Sequence, residues 1–191
     1  MARKILLGCG IVSSVLYVAT DVLRTLRYPG YRYTEQQFSE LMAVGSPVRP
    51  LMIALNGSPY GLLVAAFAVG VWTSAGPKRA GRITGAMLLG YALTGMVTGV
   101  IFPMKRREAL AAGEGTLRNA MHPSGTAGMS LFLVLAMGFG ATLLGKRCRY
   151  YPYWTIVIQW SGSYVFGGQN CQEGRSSPAL VGSEGLVCGL S

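Results

Sequence analysis

Four ionisable side chains stand where apolar runs of this chain come to an end: Asp21 and Arg24, Glu40, and the single histidine, His122. Two carboxylates and an imidazole gathered in one cleft could serve as general acid and general base, with Asp21, Glu40 and His122 as the catalytic candidates. A charge held in or beside hydrocarbon costs about 3 kcal/mol unless it is neutralised or wetted. Asp21 and Arg24 are three residues apart, on one face of a helix, and that spacing suits an ion pair. The two readings open at this point are a self-contained pair and a wet polar pocket shared with Glu40 and His122.

Between Asp21 and Glu40 lies RYPGYRYTEQQFSEL, from Arg27 to Leu41. Tyr28, Tyr31 and Tyr33 have amphipathic rings of the kind favoured at headgroup level, and with Arg24 they are the candidate binding residues. Pro29-Gly30 supplies a turn, and Thr34 with Gln37 resembles a capping box opening a short helix through Gln36, Phe38 and Leu41. Gly45-Ser46-Pro47 stops that helix. The stretch reads as a turn and an interfacial helix, more organised than a tether requires.

Other motifs carry less. Gly140-Ala-Thr-Leu-Leu-Gly145-Lys146-Arg147 approaches a phosphate-binding loop, but Arg147 stands where the magnesium-binding hydroxyl belongs and an apolar helix precedes it instead of a strand. Gly8-Cys9-Gly10 lacks the third glycine of a dinucleotide fingerprint. Asn56-Gly57-Ser58 fits the glycosylation pattern but falls inside an apolar run, out of reach of a transferase. Cys9, Cys148, Cys171 and Cys188 form neither a metal-ligand spacing nor a disulfide framework, so neither a metal nor another cofactor is indicated.

The elements that must position these residues follow from composition. Hydrophobic residues make up 51% of the 191 positions and charged residues 13%, too few charges to coat a soluble globule. The net charge of +10 sits at the flanks of apolar runs and not on one solvated face, which excludes a nucleic-acid-binding surface and marks the lipid bilayer as the partner. Four runs are long enough to span: Ile5 to Leu23, Leu51 to Trp72 with a proline kink at Asn56-Gly57-Ser58-Pro59, Ile83 to Phe102, and Ser124 to Leu144. The first run is too long, and its cleavage site too poor, for a signal peptide. The fold class is therefore all-α, a polytopic transmembrane helix bundle with four firm spans.

Lys and Arg tie at eight on each side of those spans, but they are denser in the N-terminus and the short loops at Lys78 to Arg82 and Lys146 to Arg149. That places the N-terminus in the cytoplasm, and the stretch Arg27 to Leu41 and the Lys105 to Pro123 loop outside. Gly81, Gly85, Gly95 and Gly99 line the third span at four-residue spacing, for close packing within the bundle or for helix association with a partner through Gly85, Gly95 and Gly99. After Arg149 the chain changes character. Tyr153 to Phe166 is a short candidate fifth span interrupted by Gln159 and Trp160, and Gly167 to Ser191 has the composition of a loop.

Tyr28-Pro29-Gly30-Tyr31, Ser39-Glu40-Leu41, Gly45-Ser46-Pro47 and Arg49-Pro50, together with Phe102-Pro103-Met104, Gly115-Thr116-Leu117 and Met121-His122, resemble an uncharacterised bacterial and archaeal membrane family, domain of unknown function 998. The likeness covers about Gly8 to Arg149. It implies a protein of the cytoplasmic membrane, typically with six helices, and no assigned activity. The tail departs from it, which divides the chain into a transmembrane domain at 1–149 and an atypical tail at 150–191. The family continues with R-I-A and L-P-x-P-W-L-G. A reading frame moved forward by one nucleotide permits R-I-A at Gln169 to Cys171 and L-P-P-P-W-L-G at Ser176 to Gly182, so a frameshift before about Trp160 accounts for the departure.

The functional expectation is a non-enzymatic membrane protein that binds or transports a lipid or small molecule through its outer loops. The alternatives are a membrane-embedded enzyme using Asp21, Glu40 and His122, and a structural subunit of a membrane complex held by the glycine faces.

Overall fold

A computed structural model describes residues 1–27, 41–105, 112–113, 116–144 and 149–157. Four helices in it are long and apolar enough to cross a membrane. We number them α1 (Ala2–Arg27), α2 (Arg49–Ser74), α3 (Arg79–Ile101) and α4 (Leu117–Ala141). Each contains the apolar core of one expected span. α1 and α2 run past that core at both ends, because backbone hydrogen bonding continues into the headgroup region, where arginine stems lie along apolar surface and the heads reach water. At the end of α1, Arg24 and Arg27 also complement the negative end of the helix dipole.

α2 differs from expectation in kind. Ahead of Pro59 the helix widens into one π turn, Ile53–Gly57. A proline ring collides with the carbonyl four residues back, and the wider turn gives that carbonyl room without breaking the span. Between α2 and α3 the chain reverses in four residues, with Gly76 in the left-handed region at φ 54°, a conformation open to glycine at no steric cost. Residues 150–157 are helical and take in the start of the candidate fifth span, from Tyr153; the rest of that span lies outside the described residues, as do Gln36 to Glu40 of the expected interfacial helix.

Contacts fix the register of each neighbouring pair. On α1 and α2, Gly10 faces Phe67 and Gly70 faces Leu6 and Leu7, while Tyr17 meets Tyr60. On α2 and α3, Gly61 faces Met96, and Gly85 faces Ala68 and Trp72. On α3 and α4, Gly90 faces Phe132, Thr98 faces Gly125 and Thr84 faces Gly140. Every pair is antiparallel and sequential, and no comparable packing joins α1 to α4. The four helices thus make an open layer, with α1 and α4 at its edges.

The layer is held by small residues, since lipid supplies no hydrophobic force between helices. A Cβ on Gly85 would stand 2.8 Å from the Trp72 nitrogen, and one on Gly70 would stand 3.0 Å from the Leu6 carbonyl carbon. Gly95 is covered by Met129, and Gly99 has Met42 as its nearest neighbour at 4.0 Å. The glycine faces at Gly85 and Gly95 are therefore occupied from within the chain. Ile11, Val15, Val18 and Val22 on α1, and Leu131, Leu135 and Phe139 on α4, are exposed and suit hydrocarbon.

At the end of the layer where α1 terminates, residues 41–48 fold back onto the helices. Leu41, Val48 and Met52 form a buried cluster with Met42 against it. The Val44 N–H donates to the Met104 carbonyl at 2.9 Å, and Val44 and Lys105 form an isolated parallel bridge. Arg49 Nε donates to the Met42 carbonyl at 3.3 Å. The turn at Gly45-Ser46-Pro47, with Gly45 at φ 93°, leads directly into α2.

Candidate functional site

Polar side chains inside the layer gather at this same end. Asp21 and Arg24 form an ion pair on α1, with the Arg24 side chain 5% exposed and that of Asp21 28% exposed. Burial makes the pairing necessary: an uncompensated guanidinium in such a place is strongly destabilising. Thr25 Oγ1 donates to the Asp21 carbonyl at 2.9 Å, and the buried Thr20 hydroxyl returns to the Leu16 carbonyl at 2.7 Å. These bonds satisfy the threonine hydroxyls within their own helix.

Across from them stands Asn56. The register set by Gly10 with Phe67 and Tyr17 with Tyr60, carried one turn on, brings Asn56 to the level of Asp21 and Thr20. Asn56 lies in the π turn and is 9% exposed. Neither its Oδ1 nor its Nδ2 has a hydrogen-bond partner among the described residues. A buried amide left so costs about 1–3 kcal/mol, and π turns within α-helices recur at functional sites. Ser46, in the turn before α2, repeats the pattern: its residue is 7% exposed and its hydroxyl lacks a partner among the described residues.

One helical turn deeper is a tier of tyrosines. Tyr60 shares the face of Asn56, four residues away. Its ring lies 5.8 Å from that of Tyr17 on α1, and its hydroxyl is 3.4 Å from that of Tyr91 on α3. Asn56 and Tyr60 therefore line the stripe of α2 that looks toward both neighbouring helices. The sequence reading set Asn56 aside as a chance glycosylation match and did not single out Tyr17, Tyr60 or Tyr91. The available signal was an amide inside an apolar run, three residues before a proline.

His122 is placed elsewhere. Its Nδ1 is 2.7 Å from the Phe102 carbonyl oxygen, and since a carbonyl only accepts, Nδ1 carries the proton. This bond ties the start of α4 to the end of α3. Asp21 and His122 thus sit on helices that lack the close packing of the neighbouring pairs. Glu40, Tyr28, Tyr31 and Tyr33 lie outside the described residues. Cys9 is a free thiol, and no group of three or more His, Cys, Asp or Glu that could hold a metal occurs among the described residues.

Four apolar spans in an antiparallel layer define a multi-pass helical membrane protein. The family model described as "Protein of unknown function (DUF998)" matches residues 11–180, and the chain belongs to that family. The match runs past Arg149, where the motif resemblance ends. No curated protein and no solved structure matches the chain.

Proposed function

We propose that this protein binds, without chemically altering it, the polar part of a membrane lipid or small molecule at the end of the layer that carries Asp21, Arg24 and Asn56. The observation that supports this reading is the Asn56 amide, buried within the first turns of the second span with both of its polar atoms open among the described residues. A group needed only for packing would be satisfied within the fold, as Thr20 and Thr84 are by their own helices. Denser basic residues at the opposite end favour a cytoplasmic N-terminus, which makes this the outer end and Arg27 to Leu41, with the candidate binding residues Tyr28, Tyr31 and Tyr33, part of an outer loop.

The test is mass spectrometry of what the purified chain retains. Wild-type protein in mild detergent is expected to carry a bound species that Asn56→Leu loses and Gly8→Ala keeps. The same retained species in all three, or none in wild type, removes the proposal. The enzymatic alternative needs Asp21 and His122 to converge, and no observation favours it over binding.

A further inference from the structure

We infer that the group recognised at Asn56 is an uncharged, hydroxyl-bearing headgroup of the polyol or sugar type, and neither a phosphate nor an ammonium. The inference rests on the binding role proposed above and names the ligand's chemistry.

A primary amide offers one carbonyl acceptor and two N–H donors side by side. Both atoms of Asn56 are open in a position nine-tenths buried. A ligand that meets them must therefore present a donor and an acceptor together. A phosphate diester or a carboxylate presents acceptors only and would leave Oδ1 unmatched. An ammonium presents donors only and would leave Nδ2 unmatched. Neighbouring hydroxyls present both.

Charge around the amide points the same way. Among the described residues, the charged groups at its level are Asp21 and Arg24, and they are bound to each other. Arg49, nearer the surface on α2, is engaged with the Met42 carbonyl. An ionised headgroup at this depth would lack a counter-charge from those residues, and burying it would be costly. The other polar groups of the site are neutral hydroxyls: Ser46 at the mouth of α2, and Tyr60 with Tyr91 one turn deeper. Each can donate and accept, so each suits a hydroxylated partner.

The experiment uses the full chain in detergent and native mass spectrometry with three probes: monoglucosyldiacylglycerol, phosphatidylmethanol of the same acyl chains, whose phosphate diester carries no hydroxyl, and methyl glucoside. The glucolipid is expected to bind at about tenfold lower concentration than phosphatidylmethanol, and Asn56→Leu to remove that preference, a difference of about 1.4 kcal/mol. Asn56→Gln, which keeps the amide one methylene further out, is expected to retain part of the preference, which covers a failure of the leucine variant to fold. Competition by methyl glucoside would assign the recognised group to a free sugar; its failure to compete would assign it to a lipid, and either supports the hydroxyl chemistry. Phosphatidylmethanol bound more tightly than the glucolipid in an Asn56-dependent manner overturns the ligand class while leaving the site in place. Binding of all probes that is indifferent to Asn56 overturns the site itself, and the inference with it.

Discussion

Tyr17 and Tyr60 pack ring to ring across α1 and α2, with centroids 5.8 Å apart and planes inclined at 48°, and one turn further along the same two helices stand Asp21 and Asn56. This pair sets the register that gives the candidate site its membership. It also explains why two polar residues 35 positions apart in the chain share a level inside an apolar layer.

The Asp21–Arg24 pair makes a prediction about coupling. Asp21→Leu leaves the Arg24 guanidinium buried without its counter-charge and is expected to destabilise the protein by about 3 kcal/mol. The double variant Asp21→Leu with Arg24→Met removes both charges and is expected to be less destabilised than either single change. Thermal melting of the four proteins in detergent closes the cycle. Simple addition of the two single effects would mean that the pair is not coupled.

Close approach at Gly85 makes a prediction about assembly. Gly85→Ala puts a methyl group against the backbone of Trp72 and Ala68 and is expected to cost about 1–3 kcal/mol of stability, the usual penalty for overpacking. Gly8→Ala has nothing within 4 Å of the new carbon and is expected to be neutral or slightly stabilising. If Gly85 instead served a separate subunit, its substitution would change migration on a sizing column while leaving the melting point of the chain alone.

Orientation is tested by labelling. With the N-terminus cytoplasmic, a cysteine at the exposed Val44, in a background without other cysteines, is expected to react with a membrane-impermeant maleimide on intact cells. A cysteine at Lys78 is expected to react only after permeabilisation. The reverse pattern would turn the protein over and put the candidate site on the inner face.

The spans were legible in the sequence because runs such as Ile83 to Phe102 carry no charge over a length that fits hydrocarbon. Arg24 with Asp21 was legible because the partners lie one turn apart on one helix. The Asn56 site was not, because its neighbours come from other helices through a register that only packing fixes, and because Pro59 signals a kink without dictating that it takes the form of a π turn. The shifted-frame reading of the tail is a prediction about DNA: reads across codons 150 to 170 should show an inserted or missing base. The family match in the frame as translated extends to residue 180, so an intact frame would return the tail to the native protein.

The most direct measurement is the melting temperature of wild-type and Asn56→Leu protein, each in lipid-free detergent and with added membrane lipid extract. An open amide kept for a ligand predicts that Asn56→Leu melts at or above wild type without lipid, since an apolar side chain of similar size removes a buried unsatisfied group. It also predicts that the rise on adding lipid, present in wild type, is lost in the variant. A variant that melts several degrees lower in both conditions, with the same rise on adding lipid, would make Asn56 a packing residue and contradict the site.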